Sequence, residues 1–137
     1  MRRDVCVSKI RVLLADDNND MLEYVRGVLS AGRYEVVGTA NDGQAAVDAA
    51  ARLLPDVAVL DVSMPILNGI QAVKPLKKIH PTIKIVFLSV DRDPDTCQAA
   101  LDAGALGYVF KSRLGRDLFT AIDSANEGRR FVSDGCG

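Results

Sequence analysis

Five polar side chains in this 137-residue chain have types and spacing that can do chemistry. Asp16 and Asp17 are adjacent, Asp61 stands apart, and Ser89 and Lys111 follow. Each ends a short apolar run: IRVLLA before the acidic pair, VAVL before Asp61, IKIVFL before Ser89 and LGYVF before Lys111. Three carboxylates on one rim repel and raise one another's pKa. A hard divalent cation removes that conflict, and Mg²⁺ prefers carboxylate, carbonyl and water oxygens, with substrate phosphate completing its shell. A carboxylate is also a nucleophile for phosphoryl transfer, giving an aspartyl-phosphate. That reaction needs mainly positioning and charge neutralisation, which Mg²⁺ and the Lys111 ammonium can supply from two sides. The Ser89 hydroxyl can hydrogen-bond a phosphoryl oxygen.

Taken singly, each residue has an ordinary explanation. An aspartate after a strand is usually a turn residue or helix cap, and a lone serine or lysine is a loop or solvated side chain. Their joint placement is what gives them chemical meaning, and that placement depends on the elements that carry them. Five apolar runs recur: Ile10–Ala15, Tyr34–Ala40, Val57–Leu60, Ile83–Leu88 and Leu106–Phe110. They are rich in Val, Ile and Leu with little alternation, as in strands of a parallel sheet covered on both faces.

Between them lie segments of helical period. Met21, Leu22, Val25, Val28 and Leu29 share one face, as do Ala46, Val47, Ala50 and Leu54, and later Leu114, Leu118, Ile122 and Ala125. Asn18 or Asn19 is expected to cap the first helix and Asp93 the fourth. Pro75 falls inside the third helical segment, where it removes a backbone bond and is expected to kink it. The order β-α, five times over, predicts an α/β fold of flavodoxin-like, doubly wound (βα)5 type with strand order 2-1-3-4-5. All strand ends then lie on one edge, with adjacent strands ~4.8 Å apart. The switch in strand order falls between strands 1 and 3, which carry the acidic residues.

Composition agrees with one globular domain: 48% hydrophobic, 26% charged, net charge −1. No basic face marks a nucleic-acid footprint, and no apolar run approaches the roughly 20 residues that span a bilayer. MRRDVCVSK lacks the apolar core of a signal peptide, so the cytoplasm is the expected location. Cys6, Cys97 and Cys136 are odd in number and widely spaced, which argues for thiols over a disulfide or metal framework. The expected organisation is a tail at 1–8, a domain at 9–129, and a tail or linker start at 130–137. His80, before Pro81, reads as a surface or helix-end residue.

At this point the motifs become recognisable. LLADD (13–17), LDVSMPILNG (60–69), FLS ending at Ser89 and GYVFK (107–111) resemble the response-regulator receiver family, also called CheY-like. The resemblance extends from about Lys9 to Gly128. It implies Asp61 as phosphoacceptor, and a Mg²⁺ site formed by Asp16, Asp17, Asp61 and the backbone carbonyl of Ser63. It implies Ser89 as the switch hydroxyl, Lys111 as the lysine pairing with the phosphoryl group, and Tyr108 as the aromatic that changes rotamer. For Tyr108, packing with an exposed hydroxyl is the plainer reading from sequence alone. Met64, Pro65 and Gly69 match the loop after the acceptor, where turn and helix-start chemistry accounts for them.

The resemblance further implies a two-component phosphorelay. Its sensor histidine kinase donates the phosphoryl group, and a face of helix 4, strand 5 and helix 5 repacks to control dimerisation or an output domain. The chain would then be no enzyme beyond its own phosphorylation and dephosphorylation. LDVSMPILNGIQAV and DLFTAIDSANEGRRFVS are similar to the branch in which a LuxR-type helix-turn-helix follows. Transcription regulation is then the output, through DNA binding by a segment absent here, and the chain reads as either an excised receiver or a stand-alone one, with the excised fragment favoured. Three positions depart from the family's habit: Val90 after the switch serine, Ser112 where many members have a cis proline, and Ser63 at a position that tunes phosphoryl lifetime. A docking module that works without phosphorylation is the competing reading. An aspartyl phosphatase of the haloacid-dehalogenase type would need an aspartate at position 63, and no phosphate-binding glycine loop follows a strand.

Overall fold

The computed structural model describes residues 9–133. The elements alternate as β1 (Ile10–Ala15), α1 (Asn19–Leu29), β2 (Tyr34–Ala40), α2 (Gly43–Leu53), β3 (Val57–Leu60), α3 (Gly69–Ile79), β4 (Lys84–Ser89), α4 (Pro94–Asp102), β5 (Gly107–Phe110), α5 (Leu114–Asn126) and β6 (Phe131–Val132). All strand pairings are parallel, in the order β2-β1-β3-β4-β5-β6. The expected order 2-1-3-4-5 holds, and β6 adds a sixth strand beside β5.

The unalternating strand sequences follow from a core on both faces. Leu13, Ala15, Ala58, Leu60, Ile85, Phe87, Tyr108 and Phe110 pack with α2, α3 and α4 on one side. Val12, Leu14, Val57, Val59, Val86, Leu88 and Val109 pack with α1 and α5 on the other. Successive residues of each strand point to opposite faces, and both faces are dry, so both positions are apolar.

Local chemistry starts the helices where expected. The Asn18 side chain accepts from the Met21 amide and caps α1, and Asp93 accepts from the Asp95 amide at α4. Asn68 and Gln71 form a reciprocal capping box at α3. α3 runs through Pro75 without interruption. The acceptor freed there is the carbonyl of Gln71, an exposed residue open to water.

Some expectations change. β4 and β5 each begin one residue later than the apolar pattern indicated. Leu54 leaves the buried face of α2: it adopts a left-handed conformation (φ 48°) just past the helix end and is half exposed. Residues 131–133, read as tail or linker, instead extend the sheet, with the Phe131 amide on the Leu106 carbonyl and the Ser133 amide on the Tyr108 carbonyl. A two-residue strand has too short a pattern to show in sequence. The expected tail at 1–8 lies outside the described residues. Cys97 is disulfide-bonded, in place of the expected thiol, and Cys6 and Cys136 also lie outside the described residues. Disulfides follow spatial proximity, which cysteine spacing in sequence does not report.

Candidate functional site

The site forms where β1 and β3 end side by side. The ladder continues one residue past each strand, with the Asp61 amide on the Ala15 carbonyl (2.9 Å) and the Asp16 amide on the Ala40 carbonyl (3.0 Å). These bonds hold the backbones of Asp16 and Asp61 in register. Asp16 and Asp61 are buried, whereas Asp17 is exposed. Carboxylate oxygens of all three lie within 4.8 Å of one another. That spacing and hard-oxygen chemistry suit a divalent cation.

Lys111, leaving the end of β5, reaches across. Its Nζ lies 2.8 Å from Asp16 Oδ2 and 3.4 Å from Asp61 Oδ2. The other oxygens are also engaged: Asp61 Oδ1 accepts from the Ser63 amide (3.3 Å) and Asp16 Oδ1 from the Asn18 amide (2.9 Å). An open cleft beside the carboxylates is lined by Asp17, Ser63, Met64, Pro65 and Asn68.

Two glycines let the surrounding loops close in. A Cβ on Gly69 would lie 2.2 Å from the Asp61 carbonyl oxygen, and one on Gly43 would lie 1.9 Å from that of Leu67. The helix starts of α3 and α2 therefore approach the loop after Asp61 closely. In that loop Ile66 is 80% exposed and takes a left-handed φ of 70°, a strained conformation for a β-branched residue.

Ser89 and Tyr108 form a neighbouring group around the Asp91 backbone. The buried Ser89 hydroxyl accepts from the Asp91 amide (3.0 Å), and the Tyr108 hydroxyl donates to the Asp91 carbonyl (2.8 Å). Tyr108 is fully buried, so its hydroxyl is not exposed as the plainer sequence reading had it. The Arg92 guanidinium sits 4.4 Å from the centre of the Phe110 ring, a cation–π contact across the same loop. Val90 is 77% exposed. After Lys111 the chain makes a single 3-10 turn, Lys111–Arg113, and enters α5 directly.

Sequence reasoning missed Asn41. Its Nδ2 donates to the Asp16 carbonyl (3.2 Å) and to Asn19 Oδ1 (2.7 Å), tying the acidic loop to the end of β2. Its position just after Ala40, on the same sheet edge, was the available signal. His80 ends α3, with Nε2 2.8 Å from the Pro55 carbonyl, away from this group.

A scan against protein families identifies residues 12–123 as a response regulator receiver domain. The chain belongs to the response-regulator receiver family. The receiver is 30% identical over 133 residues to the transcriptional regulatory protein DegU of Brevibacillus brevis, covering 96% of this chain and 56% of DegU. The solved receiver domain of NarL from Mycobacterium tuberculosis matches with a TM-score of 0.85 and 32% identity, over 90% of this chain and all of that one. RcsB of Salmonella typhimurium, in a structure concerned with its interaction with DNA, matches with a TM-score of 0.86 and 28% identity, over 95% of this chain and 66% of that one. The receiver spans little more than half the length of the first curated relatives it matches. It is thus a signalling module of two-component systems, of the kind found in transcription regulators.

Electrostatics at the receiver's carboxylates are uneven. Burial raises the Asp61 pKa above its ordinary 3.8; the Lys111 charge opposes this and the Asp16 charge adds to it. For Lys111, burial acts to lower the pKa, but the hydrogen bond to Asp16 and the two negative charges outweigh it, and the net shift is upward. Both partners of this contact shift upward because burial prevails over the attraction of the Lys111 charge at Asp61, while the carboxylates prevail over burial at Lys111. Burial also raises the Tyr108 hydroxyl.

A pH dependence follows. A carboxyl whose pKa is raised on folding contributes stability at low pH and loses it as pH rises through the folded value. In metal-free protein, wild type and Asp61→Asn should therefore match more closely below about pH 3.8. The variant should become relatively more stable toward neutrality. Thermal melts in EDTA across pH check this, and a gap that narrows as pH rises would contradict it.

Proposed function

We propose that Asp61 accepts a phosphoryl group from a sensor histidine kinase, in a site completed by Mg²⁺ held by Asp16, Asp17, Asp61 and the Ser63 backbone carbonyl. The observation that carries this reading is the convergence of three carboxylates within 4.8 Å, two of which share the Lys111 ammonium. When bound, the cation would neutralise carboxylate and phosphoryl charge.

Each side chain then has a distinct task. A carboxylate oxygen of Asp61 attacks the donor's phosphorus as the bond to the leaving histidine nitrogen breaks. Lys111 transfers its hydrogen bond from Asp61 toward the phosphoryl oxygens, with Asp16 keeping it in reach. Ser89 turns from the Asp91 amide to donate to the phosphoryl group, and Tyr108, already bonded to the Asp91 carbonyl, moves with that loop. The domain reading of 9–129 stands as part of this proposal, with 131–133 added to its sheet.

The phosphoryl group biases a pre-existing equilibrium by contacting one state better. The responding face of α4, β5 and α5 governs homodimerisation and an output domain of helix-turn-helix type that binds DNA outside this segment. The receiver itself makes no membrane or nucleic-acid contact in this scheme, and works in the cytoplasm. Among the described residues no helix is long and apolar enough to cross a membrane.

Metal binding supplies the first test. A ligand that binds only the folded state stabilises it by RT ln(1 + [L]/Kd), about 1.4 kcal/mol at tenfold over Kd. For a domain of this size the thermal midpoint should rise by ~5 °C. EDTA should reverse the rise, and Asp17→Asn should reduce it. A midpoint indifferent to millimolar Mg²⁺ would sink the metal site and favour a docking module that needs no phosphorylation.

A further inference from the structure

Asp117 is buried in the first turn of α5, at 7% exposure, and the phosphoryl chemistry does not use it. Its Oδ2 accepts from the Ser133 hydroxyl at 2.7 Å and from Arg113 Nε at 3.3 Å. The same Ser133 oxygen accepts from the Phe110 amide at 3.3 Å. Ser133 is itself 2% exposed. One carboxylate thus ties down the residue just before Lys111 and the residue two positions after it. Ser112 between them is exposed and lacks the fixed φ of a proline.

We propose that Asp117 and Ser133 form a clamp that positions the Lys111 ammonium over the acceptor carboxylate. The proposal rests on the reading of Asp61 and Lys111 given above. Lysine has a long, flexible stem, so the placement of its backbone decides where its charge can go. The clamp holds that backbone directly at Phe110, where β5 passes into the 3-10 turn, and restrains the turn's far end through the Arg113 side chain. A buried carboxylate tolerates its surroundings only while its bonds are made, so the clamp resists partial opening.

The clamp also joins the end of the domain to the site. Ser133 follows β6, which is held along β5 by the Phe131 and Ser133 amides. A movement of Lys111 toward a phosphoryl group pulls on the Phe110 amide and therefore on Ser133. β6 is thereby coupled to Asp61 through three hydrogen bonds. Coupling of this kind is reciprocal: loosening Ser133 must weaken the hold on a phosphoryl mimic.

The test compares wild type, Ser133→Ala and Asp117→Asn of the full 137-residue chain. Fluorine NMR reads BeF₃⁻ affinity at saturating Mg²⁺, and a thermal titration reads Mg²⁺ affinity without BeF₃⁻. Ser133→Ala should weaken BeF₃⁻ binding about fivefold, the equivalent of one neutral hydrogen bond, with Mg²⁺ affinity unchanged. Asp117→Asn keeps the acceptor but loses its charge, so it should shift affinity in the same direction while preserving the fold. It carries the test should Ser133→Ala not fold. Variants that bind BeF₃⁻ as wild type does would overturn the clamp. So would equal losses in Mg²⁺ and BeF₃⁻ affinity, which would indicate general loosening. Failure of wild type to bind BeF₃⁻ would instead overturn the assignment of Asp61, and with it the basis of the clamp.

Discussion

Asp61→Asn protein incubated with acetyl phosphate and Mg²⁺ should keep its unmodified mass, while wild type gains one phosphoryl group. The amide is close in shape to the carboxylate but neutral, and it is a poor nucleophile toward phosphorus. Loss of an essential nucleophile should slow labelling at least about a thousandfold, ~4 kcal/mol in barrier height. The neighbouring carboxylates are poorly placed to substitute. Asp16 has one oxygen on Lys111 and the other on the Asn18 amide. Asp17 is solvated and exposed. The variant should still fold, since Asp61 reaches its backbone partner through its amide nitrogen, which the substitution leaves alone. Intact-mass measurement decides the matter: labelling of Asp61→Asn at the wild-type rate would show that another residue is the acceptor.

Gly69→Ala should remove about 2–3 kcal/mol of stability, an overpacking cost at the upper end of the usual range. The added Cβ would meet the Asp61 carbonyl oxygen at 2.2 Å and the Phe87 ring at 2.8 Å. The first contact is with backbone, which cannot swing aside as a flexible side chain can. Relief requires α3 to back away from β3, displacing Asp61. Weaker Mg²⁺ binding should therefore accompany the lost stability. Gly115→Ala provides the contrast. Its Cβ would meet nothing within 4 Å, and Gly115 is itself exposed in the first turn of α5. There the substitution should be neutral to stabilising, by up to about 1 kcal/mol. Urea unfolding of the two variants checks both signs, and equal stability would show that the close approach at Gly69 is not maintained in solution.

Much of the fold was legible in the chain because its periodicities are local. Strands covered on both faces must be apolar at every position, so VAVL and IVFL announce themselves. Leu114, Leu118, Ile122 and Ala125 recur at helical spacing, and all four are buried. Caps were readable at Asp93 and, to within one residue, at Asn18 or Asn19, of which Asn18 is the cap; each short polar side chain meets an amide two or three residues on. β6 was not legible, since two residues have no period. Leu54 was misplaced because α2 ends at Leu53 and Leu54 itself turns left-handed. The state of Cys97 also escaped, since the position of a cysteine in sequence says nothing of what lies near it in space.

The amino-acid order by itself determined which groups arrive at the strand ends. Asp16, Asp17, Asp61, Ser89 and Lys111 follow their apolar runs, and parallel pairing carries them to one edge. Only the tertiary structure decided how they are shared. It placed Lys111 nearer Asp16 than Asp61, and it engaged Ser89 with the Asp91 amide. It also bracketed Lys111 by Asp117 and Ser133. Strand-end placement follows from backbone repeat, which is written along the chain. Choice among competing hydrogen-bond partners turns on sub-ångström distances between elements far apart in sequence, and only packing sets those.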